Sequence, residues 1–193
     1  MPIEIEAKIL NINVAACRTM LAAQGYTCTR PWSLMRRYTY FLTELNPNPA
    51  KWARVRDNGD DTVTMAFKHE HDGTDIHGTE EIEINVDSFE NAATLLQKLG
   101  FEDRAHQENF RETWIKGDRE VTLNEWPGLP PFAEVEGHSE DVVKAACNEL
   151  GFDYAQALFG GVGRIYEAHP DWAGNKVSAV RELTFAEYQK EVA

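Results

Sequence analysis

A chain of 193 residues, 42% hydrophobic and 26% charged, has the size and balance of one globular domain able to bury a core. Its formal net charge of −13 excludes a broad basic footprint for nucleic acid, although a local cationic cluster can still hold a small anion. Three cysteines without CxxC spacing, a charged N-terminal segment where a signal peptide has an apolar run, and no stretch of spanning length lead us to expect a cytoplasmic protein with no membrane partner.

The first predicted element is a strand, Ile3 to Ile9, with Ile3, Ile5, Ala7 and Ile9 on one face and Glu4, Glu6 and Lys8 on the other. Asn13 is placed to cap a helix through about Gln24, stopped by Gly25. An aromatic strand is expected over Met35 to Leu42, followed by a loop at Asn46-Pro47-Asn48-Pro49. Trp52 to Arg56 and Thr62 to His69 flank the hairpin signal Asp57-Asn58-Gly59-Asp60. A polar loop over His71 to Thr79 leads to a strand from Glu80 to Val86 and a helix capped by Asp87 or Ser88 that ends at Gly100. Strands follow at Asn109 to Lys116, Glu120 to Glu125 and Phe132 to Glu136, then a helix from Ser139 or Glu140 to Leu150. Phe159 to Gly163 reads as a flexible loop, and Thr184 with Glu187 as the capping box of a short C-terminal helix. About eight strands, mostly joined by hairpins with interspersed helices, predict an α+β fold: an antiparallel β-barrel with helices packed outside.

Taken alone, the first strand is an ordinary solvated strand face. Its Glu-x-Glu pair, however, recurs at Glu81-Ile82-Glu83 and Glu134-Val135-Glu136, and cations alternate at Arg54-Val55-Arg56 and Lys68. A closed sheet with these residues pointing inward has a lumen lined by carboxylates and cations together, which suits a divalent metal bound to a polyphosphate. The six histidines show no HExxH-type pattern, and His69, His71 and His77, in or beside a loop, read as solvated rather than as ligands. No GxxxxGK[ST] motif is present, so a P-loop nucleotide site is not expected.

The ordered set Glu4-x-Glu6-x-Lys8, Thr39-Tyr40-Phe41, Arg54-x-Arg56, Lys68, Glu81-x-Glu83, Arg111-x-x-Trp114 and Phe132-x-Glu134-x-Glu136-Gly137 resembles the CYTH superfamily of triphosphate tunnel metalloenzymes. The resemblance covers residues 1–168 and leaves 169–193 as a C-terminal tail with a short helix. It implies an eight-stranded antiparallel tunnel, a small-molecule triphosphate as substrate, and Mg²⁺ or Mn²⁺ as cofactor. By the same resemblance Lys8, Arg54, Arg56, Lys68 and Arg111 bind phosphate, and Glu4, Glu6, Glu134 and Glu136 hold metal with help from Glu81 and Glu83. Tyr40, with Lys8 or Lys68, is the implied group for steering or deprotonating water.

Some positions depart from the family pattern. Asn109 stands where a lysine is common, with Arg104 a possible substitute; Asn124 stands for a metal-site aspartate, and Thr79 for an arginine. Members often form homodimers, which no segment of this sequence decides. The implied activity is metal-dependent triphosphate hydrolysis. The alternatives are a class IV adenylyl cyclase, whose usual His-Phe pair before the first strand is missing here, and a non-catalytic triphosphate-binding module.

Overall fold

The computed structural model describes residues 3–41, 50–172 and 180–192. Leu42 and the expected loop at Asn46 to Pro49 lie outside the described residues. The first strand is divided into β1 (Ile3–Glu4) and β2 (Glu6–Ile9). Then come α1 (Val14–Ala23), β3 (Thr27–Phe41), β4 (Lys51–Asp57), β5 (Val63–Glu70), β6 (Thr79–Val86) and α2 (Phe89–Lys98). The second half runs β7 (Glu102–Lys116), β8 (Arg119–Glu125), β9 (Phe132–Glu136), α3 (Glu140–Glu149), α4 (Gly163–Ala168), β10 (Glu182–Leu183) and α5 (Phe185–Val192).

The strands form one sheet in the order β1-β6-β5-β4-β3-β7-β8-β9-β2, antiparallel throughout this path. With β1 and β2 taken as halves of one N-terminal strand, the path has the expected eight strands. The ladder itself does not close. At Ile5 the chain leaves β6, where Ile3 pairs with Glu80, and joins β9, where Glu6 pairs with Glu136. One covalent segment therefore spans the seam between the two ends of the sheet. The fold class is α+β, as the alternating pattern predicts.

Apolar residues pack on the outer face, beneath the helices. Ala7, Val121, Leu123 and Val135 of the sheet meet Leu21 of α1 and Val143, Ala146 and Cys147 of α3. Tyr40, Ala53 and Val55 meet Phe89, Ala92 and Leu96 of α2. Full burial of a side chain such as Leu21 contributes about 1.5–3 kcal/mol. Side chains of Asn13, Ser88 and Ser139 accept backbone N–H bonds at the starts of α1, α2 and α3, as their positions predict. Gly59 closes the β4–β5 turn at φ +71°; a Cβ there would lie 2.4 Å from the Leu34 carbonyl oxygen, so the turn needs glycine.

β3 and β7 are longer than the sequence predicts. Pro31 lacks an N–H and reads as a strand breaker, but β3 passes through it with register shifts between Cys28 and Ser33. The first half of β7, Glu102 to Glu108, is polar and gives little strand signal; its pairing with β3 supplies the order that its composition does not. Nor is Phe159 to Gly163 a free loop. Leu158 bridges to Lys8, the Gly161 N–H donates to Glu70 Oε2 at 2.8 Å, and α4 begins at Gly163. Beyond α4, β10 pairs in parallel with β7 and buries Leu183 against Trp126 and Tyr166. Among the described residues, no helix is long and apolar enough to cross a membrane.

Candidate functional site: a charged cavity inside the sheet

The inner face of the sheet surrounds a cavity of about 500 Å³. Of the site residues expected from the sequence, all but Tyr40 and Asn124 line it. Alternation explains the convergence, because every second residue of β2, β4, β5, β6 and β9 faces inward; the neighbours enter the outer cores on β2, β4 and β9, whereas Ile82 and Ile84 of β6 are exposed.

Two walls can be distinguished. On the first, built by β4, β5 and β6, Arg54 Nη2 lies 3.1 Å from Glu81 and 2.5 Å from Glu83, and Arg56 Nη2 is 3.2 Å from Glu83. Lys68 Nζ bridges Glu4 at 2.7 Å and Glu81 at 3.1 Å. On the second, built by β2, β7, β8 and β9, Lys8 touches Glu6 and lies 3.2 Å from Glu134. Glu134 also receives Arg111 Nη2 at 2.5 Å.

Burial pushes Glu4 up, but Lys68 and Lys8 outweigh it and hold this carboxyl at about 2. Glu83 is also lowered: burial opposes this, and Arg56 and Arg54 prevail. Glu6 is raised to about 7 by burial, which Lys8 only partly offsets while Glu4 and Glu134 add to it. Glu136 is raised to about 8 by burial and by the like charges of Glu6 and Glu4. Lys8 is raised despite its burial, because Glu6 and Glu134 hold the charged form. It is therefore a fixed cation rather than a proton acceptor.

Tyr40 is not brought into the cavity. It is fully buried on the outer face against α2, its hydroxyl has no hydrogen-bond partner among the described residues, and burial raises it to about 12. Its neighbours Thr39 and Phe41 face inward instead. Asn124 sits behind the lining with no exposed surface. Its Oδ1 accepts from Arg111 Nε at 2.7 Å, and its Nδ2 donates to Thr122 Oγ1 at 2.9 Å. In this arrangement the amide orients Arg111. Asn109 is buried, and its Nδ2 donates to the Phe110 carbonyl at 3.3 Å. Arg104 does line the cavity, with its guanidinium 5.1 Å from the Phe41 ring.

Sequence reasoning missed Arg37 and Glu120. Arg37 donates to Gln107 Oε1 at 2.8 Å and stacks over Trp126 at 4.2 Å. Burial, then Arg54, Arg56 and Arg111, lower it well below the usual arginine range, so a bound anion would relieve it. The inward parity of Thr39 extends directly to Arg37, and that of Asn124 to Glu120.

No protein-family model matches the chain, and no curated protein does. Solved structures match in fold. The PH1012 protein from Pyrococcus horikoshii OT3 aligns with TM-score 0.67 at 19% identity, over 80% of this chain and 93% of that one. A candidate adenylate cyclase from Vibrio parahaemolyticus gives TM-score 0.69 at 16% identity, over 84% and 97%. A candidate adenylyl cyclase from Hippeastrum, described as having a dominant triphosphatase activity, gives 0.53 at 16% identity, over 85% and 94%. The fold is CYTH-like.

Within this CYTH-like fold the donor chemistry fits a hard divalent cation. One carboxylate oxygen from each of Glu4, Glu6 and Glu136 lies within 4.8 Å of the others. The raised Glu6 and Glu136 mark a place where carboxylates exceed the cations available to them. Across the cavity, the buried Nε of Arg54 has no hydrogen-bond partner among the described residues. One wall thus offers oxygen ligands short of positive charge, and the other offers an unsatisfied guanidinium donor.

Proposed function

We propose that this chain is a divalent-metal-dependent triphosphatase, acting first on inorganic tripolyphosphate. The observation that carries the reading is that the principal cavity cations (Lys8, Arg54, Arg56, Lys68 and Arg111) are already held by glutamates. A lone anion would strip these cations from their partners and leave buried carboxylates uncompensated. A polyphosphate arriving with a divalent cation replaces both members of each pair at once.

In this reading Arg54, Arg56, Lys68, Arg111 and Lys8 bind the phosphate oxygens, joined by Arg37. The arginines supply fixed forks and the lysines compact charges. Glu4, Glu6 and Glu136 hold Mg²⁺ or Mn²⁺, assisted by Glu134, Glu81 and Glu83. When bound, the metal supplies charge neutralisation on the phosphate oxygens and lowers the barrier to attack by water. The water oxygen bonds to the terminal phosphorus, the bridging P–O bond breaks, pyrophosphate leaves with the bond's electron pair, and the water's proton passes to solvent or to the departing pyrophosphate oxygen. Lys68 and Lys8 serve by orientation and charge. Tyr40, on the other face of the sheet, has no direct part.

The second reading, an adenylyl cyclase, is favoured by the names of the Vibrio and Hippeastrum structures and by the aromatic side chains of Phe41 and Trp52 in the lining, which could face a base. Product analysis with tripolyphosphate and ATP in parallel, with Mg²⁺ or Mn²⁺, separates the readings. Orthophosphate release that chelation abolishes supports the triphosphatase. Cyclic AMP with pyrophosphate moves the chain to the cyclase class. Tight binding of tripolyphosphate without turnover leaves a binding module.

A further inference from the structure

A second group of ligating side chains lies on the outside of the sheet. Lys68 and Glu70 of β5 line the cavity, so His69 between them projects outward. Glu80 of β6 is its direct cross-strand partner. His71, just past the end of β5, turns onto the same face, its ring centroid 3.7 Å from that of His69. Glu80 Oε2 is 3.3 Å from His71 Nε2 and 3.7 Å from His69 Nδ1. One ligand atom from each of the three residues falls within 4.8 Å of the other two. Bonds of about 2.0–2.2 Å at tetrahedral angles place ligand atoms roughly 3.3–3.5 Å apart. The observed spacings lie within reach of that geometry through small side-chain rotations.

We propose that His69, His71 and Glu80 form a binding site for a divalent transition-metal ion of borderline softness, Zn²⁺ first, on the outer face of the sheet. The donor set decides the class. Two imidazoles and one carboxylate suit Zn²⁺, whereas Mg²⁺ and Mn²⁺ prefer the all-oxygen group in the cavity. Three protein ligands leave a fourth position for water or another donor. The site is accessible from solvent: the His71 side chain is about half exposed, while those of His69 and Glu80 are mostly covered.

The site's position gives the ion a consequence. It would tie the end of β5 to the start of β6, across the loop from His71 to Gly78. Glu70, between the two histidines, accepts the Gly161 N–H on the cavity side. Loading the site should therefore stiffen the rim formed by the segment before α4. The proposal stands whether or not the cavity hydrolyses a triphosphate.

The test is calorimetric titration of Zn²⁺ into the metal-stripped full chain, with saturating Mg²⁺ present to occupy hard-oxygen sites. The expected result is one tight Zn²⁺ per chain that Mg²⁺ does not displace. Affinity should fall at least tenfold in His71→Ala and in His69→Gln and remain unchanged in Glu136→Gln. Co²⁺ should give a visible absorption band that changes in Glu80→Gln, a variant that retains both imidazoles. Circular dichroism checks that each variant is folded. Absence of tight Zn²⁺ binding to the wild-type chain, wild-type affinity in both histidine variants, or loss in Glu136→Gln with retention in His71→Ala would overturn the proposal.

Discussion

The two walls of the cavity carry the same residue types and differ in balance. On the β4–β5–β6 wall every carboxylate has a cation beside it: Arg54 and Arg56 hold Glu83 lowered, while Glu81, paired with Arg54 and Lys68, is still raised by burial. On the β2–β9 wall, Lys8 and Arg111 satisfy Glu134, while Glu6 and Glu136 are left raised to about 7 and about 8. A Glu-x-Glu pair therefore has no fixed meaning. Its role depends on how many cations the neighbouring strands direct at it. The first wall holds cations in position with carboxylates, and the second concentrates carboxylates that only an added cation can balance.

The largest effects are expected from the first wall. Arg54→Ala or Arg56→Ala removes charge-assisted phosphate contacts, each worth about 1.5–3 kcal/mol, so kcat/KM for tripolyphosphate should fall about ten- to a hundredfold. Normal kinetics in both variants would remove this wall from the site. On the second wall, Glu136→Gln should raise the metal concentration for half-maximal rate several-fold, and an unchanged titration would take Glu136 off the ligand set.

The pH dependence of stability sharpens the contrast. Glu6 titrates higher in the folded chain than the ordinary 4.5, so between about 4.5 and 7 it binds more proton in the folded than in the unfolded state, whereas the rise at the exposed Glu136 is largely screened by solvent. Stability of the metal-free chain should thus fall as pH rises through that window, with a Tm drop of roughly 5 °C. Mg²⁺ should recover more at pH 8 than at pH 5. Glu4, held at about 2, works in the opposite sense: its contribution is present above about 4.5 and is lost as pH falls toward 2. A metal-free Tm flat from pH 5 to 8 would contradict the excess of carboxylate.

Asn124→Asp replaces a donor to Thr122 with a second carboxylate beside Glu134, so it should cost about 1–3 kcal/mol of stability without improving metal binding. Stronger metal binding in that variant would bring position 124 back to the metal. The smallest effect is expected from Tyr40→Phe. It removes a hydroxyl that has no partner among the described residues, and turnover should stay within about twofold, which a rate assay checks.

Much of this was legible in the sequence because inward and outward residues alternate cleanly in β2, β4, β6 and β9. There, a charged residue next to an aliphatic one leaves a single reasonable orientation. The aromatic strand is harder to read: Tyr38 and Tyr40 are outward, Thr39 and Phe41 inward, and all but threonine are large rings. A register shift between Thr39 and Tyr40 against β7 adds to the ambiguity. Arg37 was missed because Arg36 beside it carries the same charge, and only the fold shows which of the two enters the cavity. The pairing of His69 with Glu80 depends on the β5–β6 register, which a loop of uncertain length hides from the sequence.

In the proposed reaction the ion pairs of the cavity are exchanged together for a metal and a polyphosphate. The most direct measurement is binding of a non-hydrolysable imido analogue of tripolyphosphate to the wild-type chain by calorimetry, with and without Mg²⁺, alongside Mg²⁺ titration with and without the analogue. Weak binding of either partner alone and mutual strengthening by the same factor, at least about tenfold, are expected when both are present. Analogue affinity independent of Mg²⁺ would contradict this exchange.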